Sequence, residues 1–325
     1  MEPLFLKPIF MDRIWGGTAL KDKFNYEIDS PTTGECWAIS SHKNGDCLIE
    51  NGKYKGKKLS ELWNKNRELF GNTPGDKFPL LTKILDANDN LSVQVHPNDE
   101  YAKKNENGEL GKTECWYVID CSDDAEIIIG HNAKSHKEFV NMVNNNEWDK
   151  LLRKVNIKKG DFFYVPSGTI HAICKGTLIL ETQQNSDTTY RVYDYDRTDN
   201  SGNKRELHVQ KSIDVTNVPH INFDTDYKIV STSDFKCTTF VSNEFFSVYK
   251  LDVFGKCNFT HNTPFSLYSV LDGNGKLIHN SVEYNLKKGM HFILPNDFGD
   301  FSFEGNLEII CYHNNLPYDS LFLTT

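Results

Sequence analysis

The sequence predicts a mainly β protein made of two related halves. Three observations predict it: short runs that alternate in polarity, their separation by Gly, Asn, Asp and Pro turns, and one strand–turn–strand segment that occurs twice. With 325 residues the chain is long enough for two or three domains and a large core. Aromatic residues make up 12%, which is the composition of a packed protein and not of a disordered one.

Taken in order, residues 59–70 come first. Leu59, Leu62, Trp63, Leu69 and Phe70 fall near one stripe at helical spacing, and Gly71 is a stop signal. Residues 84–87 read as a strand that turns through Asn88-Asp89-Asn90 into a second run, 91–97. There Leu91, Val93 and Val95 are expected on one face and Ser92, Gln94 and His96 on the other. Residues 114–119, 126–129, 161–165, 178–182 and 190–193 read as further strands of a sandwich or barrel. Ser135-x-x-Glu138 is a capping box that opens a helix carrying Phe139 and Val143. Asn144-Asn145-Asn146 marks a break before a second helical piece with Leu151-Leu152, and both are expected beside the β core.

The repeat is the most informative feature of the organisation. Lys158-Lys159-Gly160-Asp161-Phe162-Phe163-Tyr164-Val165-Pro166 returns 129 positions later as Lys287-Lys288-Gly289-Met290-His291-Phe292-Ile293-Leu294-Pro295. The same offset pairs Gly176 with Gly305 and Leu178 with Leu307, but it pairs His171 with Asp300. The second copy therefore keeps positions that set shape and loses the histidine, so chemistry is expected in the first. A boundary is expected between residues 222 and 232.

Charge and cysteine usage set the surroundings. Asp and Glu number 45 against 36 Lys and Arg, a net −9, which argues against a nucleic acid or an anionic membrane as partner. No run of about 18 apolar residues suggests a membrane helix. The first apolar stretch, 4–11, is broken by Lys7 and Pro8 and does not read as a secretory signal. Eight cysteines without a C-x-x-C pair read as buried thiols of a cytoplasmic protein.

Gln94 and His96, two apart on a strand, project from one face. Glu114 opens the apolar run Cys115-Trp116-Tyr117, and His171 lies where the loop 166–170 returns to a strand. Two imidazoles, a carboxylate and an amide oxygen suit a divalent first-row metal, with Zn²⁺ the expected occupant. Residue type and spacing alone leave two readings open: a metal centre, or isolated polar residues of a half-buried sheet.

A resemblance adds to this. Trp15-Gly16-Gly17, Gly34-Glu35-Cys36-Trp37, Phe78-Pro79-Leu80-Leu81-Thr82-Lys83, Ser92-Val93-Gln94-Val95-His96-Pro97, Lys112-Thr113-Glu114-Cys115-Trp116, Gly168-Thr169-Ile170-His171-Ala172 and Asn185-Ser186-Asp187-Thr188-Thr189-Tyr190-Arg191 resemble, in this order, the type I mannose-6-phosphate isomerases in their short bacterial form. The resemblance implies a double jelly-roll (bicupin) with helical insertions in the N-terminal half. It implies a catalytic domain over 1–228 and a smaller jelly-roll without a metal site over 229–325. It also implies one Zn²⁺ per chain on Gln94, His96, Glu114 and His171, an active-site Arg191, and Lys112 and Asp187 as pocket residues. A histidine that precedes the pocket lysine in longer relatives is Gly111 here.

The implied reaction interconverts mannose 6-phosphate and fructose 6-phosphate through an enediol. Arg191 is expected to stabilise the enediolate or contact phosphate through its planar fork. Lys112, two before Glu114, faces the same cavity and is a candidate for proton transfer or phosphate binding. Lys83 is a second phosphate candidate, and Trp15 beside two glycines is placed to line the sugar pocket. Asp187 and Arg191 share a face if both lie on a strand, about 13 Å apart, so a bend is needed for both to touch one sugar. Alternating charges such as Arg191, Asp194, Asp196 and Arg197 also suit surface ion pairs. The partner is a small sugar phosphate and the state a monomer or weak homodimer. Two other readings stand beside this one, a metal-dependent cupin dioxygenase and a catalytically silent sugar-phosphate-binding cupin.

Overall fold

A computed structural model describes residues 1–198, 201–223 and 226–314. Residues 224 and 225, inside the expected boundary region, lie outside it. Among the described residues the chain is mainly β, in three larger sheets and a two-stranded one. A six-stranded sheet runs in the order Phe162–Val165, Glu114–Cys121, Thr177–Gln184, Leu80–Ala87, Thr33–Ile39, Ile9–Gly17. A five-stranded sheet runs Leu152–Asn156, Glu126–His131, His171–Ile173, Val93–Val95, Tyr190–Tyr193. The third, ten-stranded, gathers the strands from Lys228–Ser231 onward and takes in Leu4–Lys7 and Leu48–Ile49 from the N-terminal region.

The six- and five-stranded sheets pack on each other through Leu85, Trp116, Val118 and Ile179 from one and Ile127 and Ile173 from the other. Period-two alternation decides what enters this layer. Glu181 is paired across to Lys83 and to Trp116, and Gln183 to Glu114, so these residues share the inner face with Leu85 and Ile179. That face is apolar at one end and charged at the other. On the opposing sheet Gln94 is the register partner of both His171 and Arg191. The outer face of that sheet, with Val93 and Val95, is covered by the helices His136–Asn144 and Val209–Val215 through Phe139, Val143 and Ile213.

The repeat is visible as geometry. Gly160 and Gly289 both take positive φ, 91° and 86°, where a side chain is disfavoured. Gly160 N–H donates to Val118 O and Gly289 N–H to Val270 O, each at 2.9 Å, and both turns close with a second bond, from Asp161 N–H to Lys158 O and from Met290 N–H to Lys287 O. The strands that follow, Phe162–Val165 and His291–Leu294, are offset by the same 129 positions. In the second copy the register partner of Asp300 is Thr260, where the first copy pairs His171 with Gln94.

Three local expectations change. The strand is only Val93–Val95, so Leu91 lies outside it and packs inward with Trp15 and Leu85, against the alternation. Residues 59–70 form an α-helix, Leu59–Lys65, and a separate 3-10 turn, Arg67–Phe70, because Asn66 leaves helical geometry. Leu151 ends the helix Trp148–Leu151, whereas Leu152 begins a strand. All eight cysteines are free thiols; Cys121, Cys174 and Cys237 are only partly buried.

Candidate metal centre

The charged end of the layer holds the centre. His96, Glu114 and His171 are buried, and one ligand atom of each lies within 4.8 Å of the others. Glu114 Oε2 is 3.4 Å from His96 Nε2, and Oε1 is 3.4 Å from His171 Nε2. Backbone carbonyls orient both rings: His96 Nδ1–H donates to Thr188 O at 2.9 Å and His171 Nδ1–H to Thr169 O at 2.8 Å. Each Nε2 therefore turns a lone pair inward, the ligand form of imidazole. The Gln94 amide reaches His171 Nε2 at 3.3 Å, which brings the fourth expected ligand to the same point.

The donor set suits a cation. The Lys112 ammonium already stands against it, 3.0 Å from Glu114 Oε2 and 3.2 Å from His96 Nε2. Glu114 Oε2 is nevertheless a buried oxygen without a directed hydrogen bond among the described residues. Two neutral imidazoles and a carboxylate fit a divalent ion of zinc type, and Gln94 adds a neutral amide.

Electrostatics keep each group in its useful form. Burial, helped by the Lys112 charge, pushes His96 down to about 3, and burial lowers His171 as well. Burial opposes ionisation of Glu114, but the Lys112 ammonium outweighs it and holds the carboxylate well below its ordinary range. Burial likewise works against the Lys112 charge, yet Glu114 and Glu181 keep it raised. Glu181 moves the other way: burial and the nearby Glu114 carboxylate push it up to about 7.

A cavity of about 270 Å³ opens beside the cluster, lined among others by Trp15, Lys83, Gln94, Lys112, Asp187 and Arg191. The structure thus brings together every residue expected at the site, with His96, Glu114 and His171 beneath. Lys83 Nζ sits 3.7 Å from Glu35 and 3.8 Å from Asp187, over the Trp37 ring. Asn44 Nδ2 donates to the Asp187 carboxylate at 3.0 Å. The shared-strand argument for Asp187 and Arg191 does not apply, because only Arg191 lies on the strand Tyr190–Tyr193. Asp187 reaches the cavity from the loop before it, which supplies the bend. The ion pairs form in part: Asp196 pairs with Lys204 at the surface and the buried Asp194 binds Arg197, whereas Arg191 makes no ion pair among the described residues.

Four charged lining residues escape the sequence reading: Arg13, Glu35, Glu181 and Arg205. Glu181 carries a signal, an acidic residue directly after the apolar run Leu178-Ile179-Leu180, two positions from Ile179 and so on the same inner face. Glu35 accepts from Arg13 at 2.8 Å and from Trp37 Nε1 at 2.6 Å, and with Lys83 these hold its carboxyl down at about 2 against burial. Arg205 follows a polar loop and has no local pattern. Gly111 needs its missing side chain: a Cβ there would lie 2.5 Å from the Asn98 backbone.

Fold and centre together define a class: a mainly β protein with a metal-capable His–Glu–His centre on the floor of a cation-lined cavity between two sheets. The comparisons narrow it. A model of the phosphomannose isomerase type I catalytic domain matches residues 4–119, and one of the mannose-6-phosphate isomerase cupin domain matches 236–314. The chain is 57% identical to the mannose-6-phosphate isomerase ManA of Bacillus subtilis, over 96% of this chain and 99% of that protein. It is 53% identical to the mannose-6-phosphate isomerase of Streptococcus mutans, over 97% and 99%. A crystal structure of a mannose 6-phosphate isomerase from Bacillus subtilis superposes with a TM-score of 0.95 at 53% identity, covering 96% of this chain and all of that one. The chain belongs to the type I mannose-6-phosphate isomerases.

Proposed function

We propose that the chain interconverts mannose 6-phosphate and fructose 6-phosphate through an enediol, with one Zn²⁺ held by Gln94, His96, Glu114 and His171. The observation that carries this reading is the buried His–Glu–His cluster beneath a cation-lined cavity in a chain of this family. A bound divalent ion would supply Lewis-acid stabilisation of the negative charge that develops on the sugar's O1 and O2. The chain's own residues do the rest. Lys112, kept charged by Glu114, presents a buried donor at the cavity floor and acts as the acid toward the sugar oxygens, while Asp187 is the group that takes the proton from C2 and returns it at C1. Arg191 offers a planar fork to the enediolate. Lys83 and Trp15 bind the sugar phosphate from the wall.

The architecture proposed around this site is a double jelly-roll with helical insertions in its first half. Its domains are 1–228 and 229–325, with Leu4–Lys7 lent to the ten-stranded sheet. The reading places the enzyme in the cytoplasm as a monomer or weak homodimer; among the described residues no helix is long and apolar enough to cross a membrane. The test is a coupled assay with mannose 6-phosphate before and after exhaustive chelation. Activity is expected to vanish and to return with about one Zn²⁺ per chain. Full activity in metal-free protein would refute the zinc assignment. Arg191→Ala should lower kcat/KM roughly 100-fold or more, in the range of a lost transition-state donor, and near wild-type turnover would remove Arg191 from the mechanism.

A further inference from the structure

Arg205 lies outside every motif singled out in the sequence, yet its side chain lines the cavity together with Gln94, Lys112 and Arg191. Its orientation is set by Asp194, a buried carboxylate that accepts from Arg205 Nε at 2.8 Å and from the NH2 group at 2.6 Å. A guanidinium held along that edge keeps its NH1 hydrogens for another acceptor. Asp194 also accepts from Arg197 at 2.6 Å, so one carboxylate serves two arginines.

The charge balance around the cavity is uneven. Lys112 is matched by Glu114, with Glu181 at 4.0 Å, and Arg13 and Lys83 share Glu35, with Asp187 also facing Lys83. Arg191 has no such partner among the described residues: it donates from NH1 to the Glu206 carbonyl at 3.1 Å, and its buried Nε makes no hydrogen bond. Burial and then the Arg205 charge act against the Arg191 cation, and the carboxylates of Asp194 and Glu206 offset them only in part. Unmatched positive charge is thus concentrated where Arg191 and Arg205 face the cavity, and a dianionic group with several acceptor oxygens would answer it.

We propose that Arg205, oriented by Asp194, anchors the phosphate group of the sugar substrate and sets the preference for phosphorylated over free sugar. This rests on the isomerase reading above. Arg205 takes no part in proton transfer; it binds the end of the substrate that does not react, and Asp194 is its positioning residue.

The test uses full-length zinc-loaded protein, as wild type, Arg205→Gln and Arg205→Lys. Two readouts are needed: steady-state kinetics on mannose 6-phosphate and on mannose, and calorimetric titration with inorganic phosphate. Loss of a charge-assisted contact should raise KM for mannose 6-phosphate roughly 10- to 100-fold with a much smaller change in kcat. The ratio of kcat/KM for mannose 6-phosphate to that for mannose should fall by a similar factor. Arg205→Lys should recover part of the loss, because it restores the charge without the fork. If Arg205→Gln melts early, Arg205→Lys alone decides, through the same selectivity ratio. Equal losses on both sugars, or an unchanged KM for mannose 6-phosphate, would overturn the anchor. If wild type turns over neither sugar, the isomerase reading fails, and the phosphate titration still decides. Weaker phosphate binding by Arg205→Gln then supports the anchor, and no binding by wild type overturns it.

Discussion

Lys112 and Glu114 form an ion pair with almost no access to water. Removing one partner leaves a buried charge, whereas removing both does not. Glu114→Gln is therefore expected to cost about 3 kcal/mol in urea unfolding and to bring the metal content close to zero. The double variant Lys112→Met/Glu114→Gln should be more stable than the sum of the single changes implies, and strict additivity would show that the pair is not coupled. Gly111 offers a second case. A Cβ there meets Asn98 backbone at 2.5 Å, and Gly111 N–H donates to Asp99 Oδ1 at 2.7 Å, so the loop cannot easily move aside. Gly111→Ala should cost about 1–3 kcal/mol in the same measurement. The histidine of longer relatives is excluded at this position by space.

Single elements hold the ligands at their proper depth. The strand Val93–Val95 is only three residues long, with the helices His136–Asn144 and Val209–Val215 behind it. Ser135 caps the first of these by accepting from Glu138 N–H at 3.3 Å, while Glu138 reaches back to Lys134 N–H at 2.7 Å. Ser135→Ala should cost about 1 kcal/mol by chemical denaturation. This capping motif was legible because a cap is local: its partners lie three residues apart. So was the face of Gln94, because strand alternation is local too. Leu91 was misread because alternation stops where the ladder stops, and ladder length depends on distant partners.

Across the whole molecule the two halves share a core. Leu4, Trp63, Phe70 and Phe78 from the first pack with Phe265, Ile293 and Ile310 from the second, and Phe70 meets Phe265 edge-on at 5.4 Å. A single cooperative unfolding transition is expected, with near- and far-ultraviolet circular dichroism coinciding; separated transitions would show that the halves are independent. Buried histidines set the acid limit. Burial pushes His261 and His291 down to about 3, below the ordinary 6.5. Between those values the unfolded chain binds more protons, so their stabilisation is complete above pH 6.5 and is lost as pH falls toward 3. Together they contribute about 3 kcal/mol per pH unit across that window. His291→Gln should flatten the dependence of unfolding free energy on pH there.

What the sequence determined by itself was local or repeated: strand polarity, helix caps, the Gly160 and Gly289 turns, and the ordered motifs that carried the candidate metal ligands. Tertiary structure decided what depends on convergence. Glu35, Glu181 and Arg205 come from three separate stretches; only Glu181 carries a local mark, its place beside an apolar run, and none of the three shows which groups it will meet. Asp187 and Arg191 reach one cavity through a loop whose bend no spacing rule specifies. The physical reason is the same in each case. Hydrogen-bond periodicity acts over a few residues and is written along the chain, while burial and charge balance are set by groups that become neighbours only when the sheets close on each other.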